Sequence, residues 1–175
     1  MRVKVKKTNP SAVLPKKFYP SDFCYDVVAV SEEEVAPNVW KYGLGLAFQI
    51  ERGKEILIKD KGFGYVGALT KEVELNTEID TRKSPINLSI DFRPRSSVWK
   101  TGMVLSNCEG TVDEGYVNEV SAVFYHVMPD MPRYRKGDRI GQIKIGVTLP
   151  IDFVEVDELE ERERGLNGYG STGQK

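Results

Sequence analysis

Asn107-Cys108-Glu109-Gly110-Thr111-Val112-Asp113-Glu114-Gly115-Tyr116-Val117-Asn118-Glu119-Val120 stands between two strand-like runs, Met103-Val104-Leu105 before it and Val120 to Val127 after it. Gly110 and the pair Glu114-Gly115 punctuate it. Short apolar runs bracketing glycine-rich breaks read as strands joined by tight turns. Asp113 and Tyr116 are therefore expected at the two ends of one hairpin bend. A carboxylate there can hold and deprotonate a water, and a phenol ring can pack on a sugar or a base.

The same strand-and-break pattern runs outward in both directions. Met1 to Lys6 alternates apolar and basic residues and reads as a half-buried strand. Lys7 to Pro20 carries three prolines and reads as a loop. Phe23 to Val30 is a second strand, and Asn38 to Ile50 is one or two more. Glu32-Glu33-Glu34 is expected to be a solvated turn, and Glu55 to Lys59 another strand. Gly62-Phe63-Gly64-Tyr65-Val66-Gly67 is followed by neither Lys-Ser/Thr nor a helical pattern, so it reads as a flexible hairpin and not as a phosphate loop. Ile86 to Phe92 alternates with period two and delivers Arg93-Pro94-Arg95-Ser96-Ser97, where Ser96 is expected to cap a short helix over Ser97 to Thr101. Free amides at such an N-terminus, with two arginines and two serines, suit a phosphate; a plain capped turn is the alternative. Met128 to Pro132 is a turn, Arg139 to Ile145 a strand, and Phe153 to Val156 the last apolar run. Many short strands and at most one short helix make an all-β single domain.

Composition narrows the function. The 175 residues carry 25 basic and 26 acidic side chains, a net charge of -1. That balance gives no broad field for nucleic acid or a membrane surface, so an anionic ligand must be held by a local cluster. Cys24 and Cys108 lack metal-ligand spacing and read as two reduced thiols. His126, the only histidine, reads as a strand residue. No apolar run approaches the ~20 residues that span a bilayer, and the N-terminus lacks the apolar core of a signal peptide. A cytoplasmic location is expected.

Asn-x-x-Gly-x-Val-Asp-x-Gly-Tyr over 107–116, with Glu119, resembles the third motif of the trimeric dUTPase family. Four other segments match that family's remaining motifs in order: Tyr25-Asp26; Arg95-Ser96-Ser97; Gly137-Asp138-Arg139-Ile140-Gly141-Gln142; and Arg164-Gly165-x-x-Gly168-Tyr169-Gly170-Ser171-Thr172-Gly173. The chain departs from the family where Cys24 and Asn118 replace glycines and Tyr169 replaces phenylalanine. The resemblance implies a distorted, jelly-roll-like β-barrel, the β-clip, assembled as a homotrimer with a swapped C-terminal arm. The domain would span 1–163 and the arm 164–175. The span from Asp26 to Arg95 exceeds that of a compact member, so an insertion within 31–82 is expected.

The implied reaction is Mg2+-dependent hydrolysis of dUTP to dUMP and pyrophosphate, in sites between subunits. Asp113 is then the general base. Arg95, Ser96 and Ser97 hold the phosphate chain, and Gln142 contacts the α-phosphate. Arg164, Gly170, Ser171 and Thr172 close on the terminal phosphate while Tyr169 stacks on uracil. Tyr116 lies under the deoxyribose, and the 107–116 hairpin, with Asn107, Gly110 and Val112, reads the uracil edge. Asp26 reaches the metal through water. A dCTP deaminase of the same fold is the first alternative, although Ser121-Ala122-Val123 follows Glu119-Val120 where those enzymes carry a Thr-Leu-Glu type segment. A non-catalytic nucleotide-binding protein on the same scaffold is the second.

Overall fold

The computed structural model describes residues 2–66, 69–80, 82 and 86–162, with the backbone alone for 54–66 and 69–79. Its strands are β1 (Arg2–Lys7), β2 (Tyr25–Val28), β3 (Ser31–Ala36), β4 (Val39–Gly43), β5 (Leu46–Glu51), β6 (Lys54–Val66), β7 (Leu69–Asp80), β8 (Asn87–Pro94), β9 (Met103–Leu105), β10 (Gly110–Asp113), β11 (Ser121–His126) and β12 (Arg139–Thr148). Among the described residues a single 3-10 helix, Ser96–Lys100, interrupts them. The expected all-β class is found.

Two four-stranded antiparallel sheets face each other, ordered β10-β8-β12-β2 and β3-β4-β11-β9. β1 pairs with β5, and β6 with β7, as separate two-stranded ladders. The core lies between the four-stranded sheets. Phe92 of β8 and Ile140 of β12 come from one side, and Tyr42 of β4 and Phe124 of β11 from the other. The rings of Tyr42, Phe92, Phe124 and Tyr134 meet edge to face, with centroids 5.5–6.3 Å apart. That geometry suits aromatic quadrupoles better than a flat stack. The buried Tyr42 hydroxyl donates to the carbonyl of Tyr134 at 2.8 Å, which spares it the cost of an unpaired polar group.

Several local expectations change. Glu32-Glu33-Glu34 is not a turn but the middle of β3, paired with β4. Its Glu32 is held below the usual carboxylate range: burial opposes this, but the Lys136 amide and the Arg133 and Arg135 guanidiniums outweigh it. The second strand is shorter than Phe23 to Val30: it spans Tyr25–Val28, and the chain leaves it at Ala29 to reach β3. Ser96 is not a cap. Arg95 takes that position without a side-chain hydrogen bond, and Ser96 opens the 3-10 helix. The stretch 107–116 is not one paired hairpin either. β9 joins β11 in one sheet, while β10 crosses over to pair with β8 in the other. Only the bend at 113–116 is as expected, closed by the Tyr116 amide donating to the Asp113 carbonyl at 3.0 Å.

β6 and β7 form a ladder of 13 and 12 residues that extends the expected strand at Glu55 to Lys59 well past Gly64. Cys24 and Cys108 are both free thiols. Among the described residues, no helix is long and apolar enough to cross a membrane.

Candidate active site

The sheet β10-β8-β12-β2 carries chemistry at two opposite corners. At the first, Asp26 on β2 faces Gln142 on β12 across the ladder. Gln142 Nε2 donates to Asp26 Oδ1 at 3.1 Å, and Arg139 Nη1 donates to Oδ2 at 3.1 Å. Arg95, just past the end of β8, brings Nε to 3.3 Å from Oδ1. That nitrogen is buried and has no hydrogen bond, so the pair is a charge contact with a donor still to be satisfied. Arg139 and Gln142 are three apart and would face opposite ways on a regular strand. A register shift between Arg139 and Gly141 turns both towards Asp26. Gly141 is required there: a Cβ would sit 2.2 Å from the Phe92 ring and 2.7 Å from the Arg93 carbonyl.

This corner opens into a cleft of about 440 Å3, rimmed by Phe18, Tyr19 and Phe23. That is within the range of small-molecule sites, ~300–1,000 Å3. Arg139 also lies over the Phe18 ring, 5.9 Å from its centroid. Neither Arg139 nor the aromatic rim was singled out from sequence. Arg139 stands inside a recognised segment, but its orientation depends on the bulge. Ser96 and Ser97 follow Arg95 directly, Ser96 exposed and Ser97 half-buried.

At the other corner, Asp113 ends β10 and Tyr116 follows the bend. With Thr111, Val112, Val120 and Ser121 they line a smaller hollow of about 180 Å3. Tyr116 is held by its hydroxyl, which donates to the Glu119 carbonyl at 3.0 Å. Among the described residues nothing hydrogen-bonds to the Asp113 carboxylate, so its lone pairs are open. Gly110 begins β10, and a Cβ on it would lie 3.5 Å from the Asn107 side chain, an ordinary contact. Asn107 itself is exposed in the turn before β10. Arg164, Tyr169, Gly170, Ser171 and Thr172 lie outside the described residues.

The register fixes how far apart the corners are. Asp113 opposes Ser89, and Asp26 opposes Gln142, which opposes Arg93. Four residues along β8 at ~3.3 Å and three inter-strand steps at ~4.8 Å place Asp113 roughly 20 Å from Asp26. Arg95, six residues beyond Ser89, is also roughly 20 Å from Asp113 by the same rise.

No family model matches the chain. It is 28% identical over 175 residues to the deoxyuridine 5'-triphosphate nucleotidohydrolase of Nautilia profundicola, covering 99% of each chain. To the enzyme of the same name from Clostridium novyi it is 29% identical over 174 residues, again covering 99% of each. Over nearly its full length the chain is similar to dUTPases. Among solved structures, the dUTPase of Staphylococcus bacteriophage 80alpha, determined with dUpNHpp, superposes with a TM-score of 0.68 over 98% of both chains, at 19% identity. The likeness gives the two corners a common context: all the dUTPase-like segments within the described residues lie at one corner or the other.

Asp26 is the acid expected from sequence to lie near a metal. Both of its oxygens already receive protein donors. Among the described residues no group of three or more His, Cys, Asp or Glu side chains could cage a metal ion. The donor set suits a hard cation carried mainly by phosphate oxygens, since Mg2+ keeps several waters and needs few carboxylates.

Proposed function

We propose that the chain hydrolyses dUTP to dUMP and pyrophosphate, with Asp113 as general base, in sites built from more than one copy. The observation that carries the reading is the separation of the corners within one chain. A base must lie within about 3 Å of the proton it takes. Asp113 is roughly 20 Å from the guanidinium corner by strand geometry, so it cannot activate a water on a phosphate held by its own Arg95. Supplying Asp113 from a neighbour resolves the mismatch, and a homotrimer closes such a head-to-tail contact.

In each site, Arg95 and the Ser96 and Ser97 hydroxyls grip the phosphate chain, and Arg95 Nε gains the acceptor it lacks. Gln142 offers the second hydrogen of its Nε2 to the α-phosphate. Arg139 holds Asp26, and Asp26 in turn keeps Gln142 and Arg95 aimed into the cleft. Asp113 of the adjoining copy accepts a proton from water as that water adds to phosphorus. The bond from phosphorus to the bridging oxygen of pyrophosphate breaks. Tyr116 packs under the deoxyribose and fills the space of a 2'-hydroxyl, while Asn107 and the backbone of Gly110 and Val112 meet the uracil edge. Arg164, Tyr169, Gly170, Ser171 and Thr172 of the 164–175 arm close over the nucleotide. Mg2+ is the proposed cation: Asp26 would hold it through water beside the triphosphate, and it would neutralise phosphate charge. Preorganised charge and positioning supply most of the rate in such transfers.

Subunit mixing tests the reading. Asp113→Asn chains keep the phosphate-gripping corner, and Arg95→Ala chains keep the base. Each alone should be nearly inactive, and reassembled mixtures should release pyrophosphate from dUTP. Mixtures that exchange subunits, shown by mass, yet stay inactive would defeat the shared site. Ammonia release from dCTP would favour the deaminase alternative instead.

A further inference from the structure

The turn that carries Asp113 is held from outside by one side chain. Arg52 follows β5 and precedes β6, and its guanidinium forks onto Glu114, the residue after Asp113. Nε donates to Oε1 at 2.6 Å and Nη2 to Oε2 at 2.5 Å. Nη2 also donates to the carbonyl of Ile86, 3.0 Å away, where the chain returns from β7 to β8. Glu114 further accepts the Leu88 amide, and the Arg52 contact holds its carboxyl below the usual range. Both side chains are about three-quarters buried, at 26% and 28% exposure.

Little else fixes this turn. β10 is an edge strand with four paired residues, and Asp113 is the last of them. No ladder resumes before Ser121. The Tyr116 hydroxyl bonds only three residues on. Among the described residues, Arg52 is the sole side chain from another part of the chain that hydrogen-bonds to residues 113–116, and the Leu88 amide adds a backbone donor to the same Glu114 carboxylate. A bidentate guanidinium–carboxylate pair fixes orientation as well as distance, because both groups are planar and forked.

We propose that Arg52 is a positioning residue for the hydrolysis: by gripping Glu114 it sets the turn that aims Asp113 and Tyr116, and it ties that turn to the root of the β6–β7 hairpin. The proposal rests on the reading of Asp113 as base. Arg52 touches no reacting atom in this account. Its effect arises because a misplacement of about 1 Å at a reacting group can cost roughly 10²-fold in rate.

The test uses the full chain with Arg52→Lys, Arg52→Ala, Glu114→Gln and the exchange Arg52→Glu with Glu114→Arg, beside Asp113→Asn. Steady-state kcat and KM for dUTP, the ratio of kcat/KM for dUTP over UTP, and Tm are measured for each. Arg52→Lys keeps the charge and loses the fork. It should stay folded and lose about tenfold or more in kcat, within the range that misplacement produces. KM should stay nearly unchanged, because the guanidinium corner lies at the far end of β8. The dUTP-to-UTP ratio should fall, since Tyr116 rides on the same turn. The exchange should recover part of both losses. If folded Arg52→Lys and Arg52→Ala keep wild-type kcat and ratio while Asp113→Asn is inactive, the proposal fails and the base reading stands. If the exchange restores Tm but neither kcat nor the ratio, the pair is structural only and the proposal fails. If Asp113→Asn turns over normally, the base reading fails first and the proposal with it.

Discussion

Asp26 and Asp113 sit on edge strands of the same sheet in opposite surroundings. Asp26 has both oxygens engaged, by Gln142 and Arg139, with Arg95 close by. Asp113 has no such partner among the described residues. A carboxylate with donors on both oxygens has its lone pairs spent on orienting those donors. A carboxylate with open lone pairs can accept a proton from water. In the proposed reaction, two acids on one sheet thus serve as a framework for cations and as a base, and the difference lies in their neighbours.

Exchanging the roles should be impossible. Asp113→Asn should lower kcat about 10²–10⁴-fold, the usual worth of general-base assistance, and leave KM for dUTP close to wild type. Asp26→Asn should instead act mainly through KM. Steady-state kinetics of the two purified variants checks this contrast, and near-normal kcat for Asp113→Asn would erase it.

Arg139→Ala sharpens the organiser side. A hydrogen bond to a charged group is worth about 1.5–3 kcal/mol, and 1.4 kcal/mol is about tenfold in affinity. KM should therefore rise by about tenfold or more, with kcat falling less. Titrating salt in the same assay should weaken the guanidinium corner through screening and leave kcat at saturating dUTP nearly constant. A fall confined to kcat would move Arg139 to the reacting side.

Tyr116 separates two effects on the base side. Tyr116→Ala should erode discrimination against UTP more than it weakens dUTP, as read from kcat/KM for both nucleotides. An unchanged ratio would mean that the sugar is read elsewhere.

The acid limb of stability gives a smaller, additive signal. Glu114 and the buried Asp91 are both held below their ordinary values, 4.5 and 3.8. For Glu114 the Arg52 fork is the main cause. For Asp91 burial pushes upward, but the bonds from Lys144 and Ser89 outweigh it. A depressed folded pKa contributes stability above the unfolded value and loses it as pH falls through the folded one. Urea unfolding should therefore weaken progressively below about pH 4.5, the ordinary value for Glu114. Glu114→Gln should flatten the part of that slope due to the turn. The smallest effect is expected from Tyr116→Phe, which removes one hydrogen bond to the Glu119 carbonyl. It should cost about 1 kcal/mol and a few degrees in Tm.

The sequence by itself determined the class and the parts. Period-two alternation with glycine and proline breaks specifies β-strands wherever one face is buried, because side chains on a strand must alternate. The recognisable segments also named Asp26, Arg95, Gln142, Asp113 and Tyr116, since residue types at fixed local spacing survive in a linear reading. What neighbours across strands do is not local. Only register revealed that Arg139 turns towards Asp26 through a bulge and that Asp91 is buried against Lys144 within an alternating strand. It likewise put the acidic run at Glu32 into a strand, where the Arg133 and Arg135 guanidiniums lie within ion-pair reach. The same holds for Arg52, which reaches Glu114 across 62 positions of chain. Strand pairing selects those contacts by the burial of whole faces, a sum over many residues that no single stretch encodes. That is why residues 107–116 could be read as one hairpin and yet divide between two sheets.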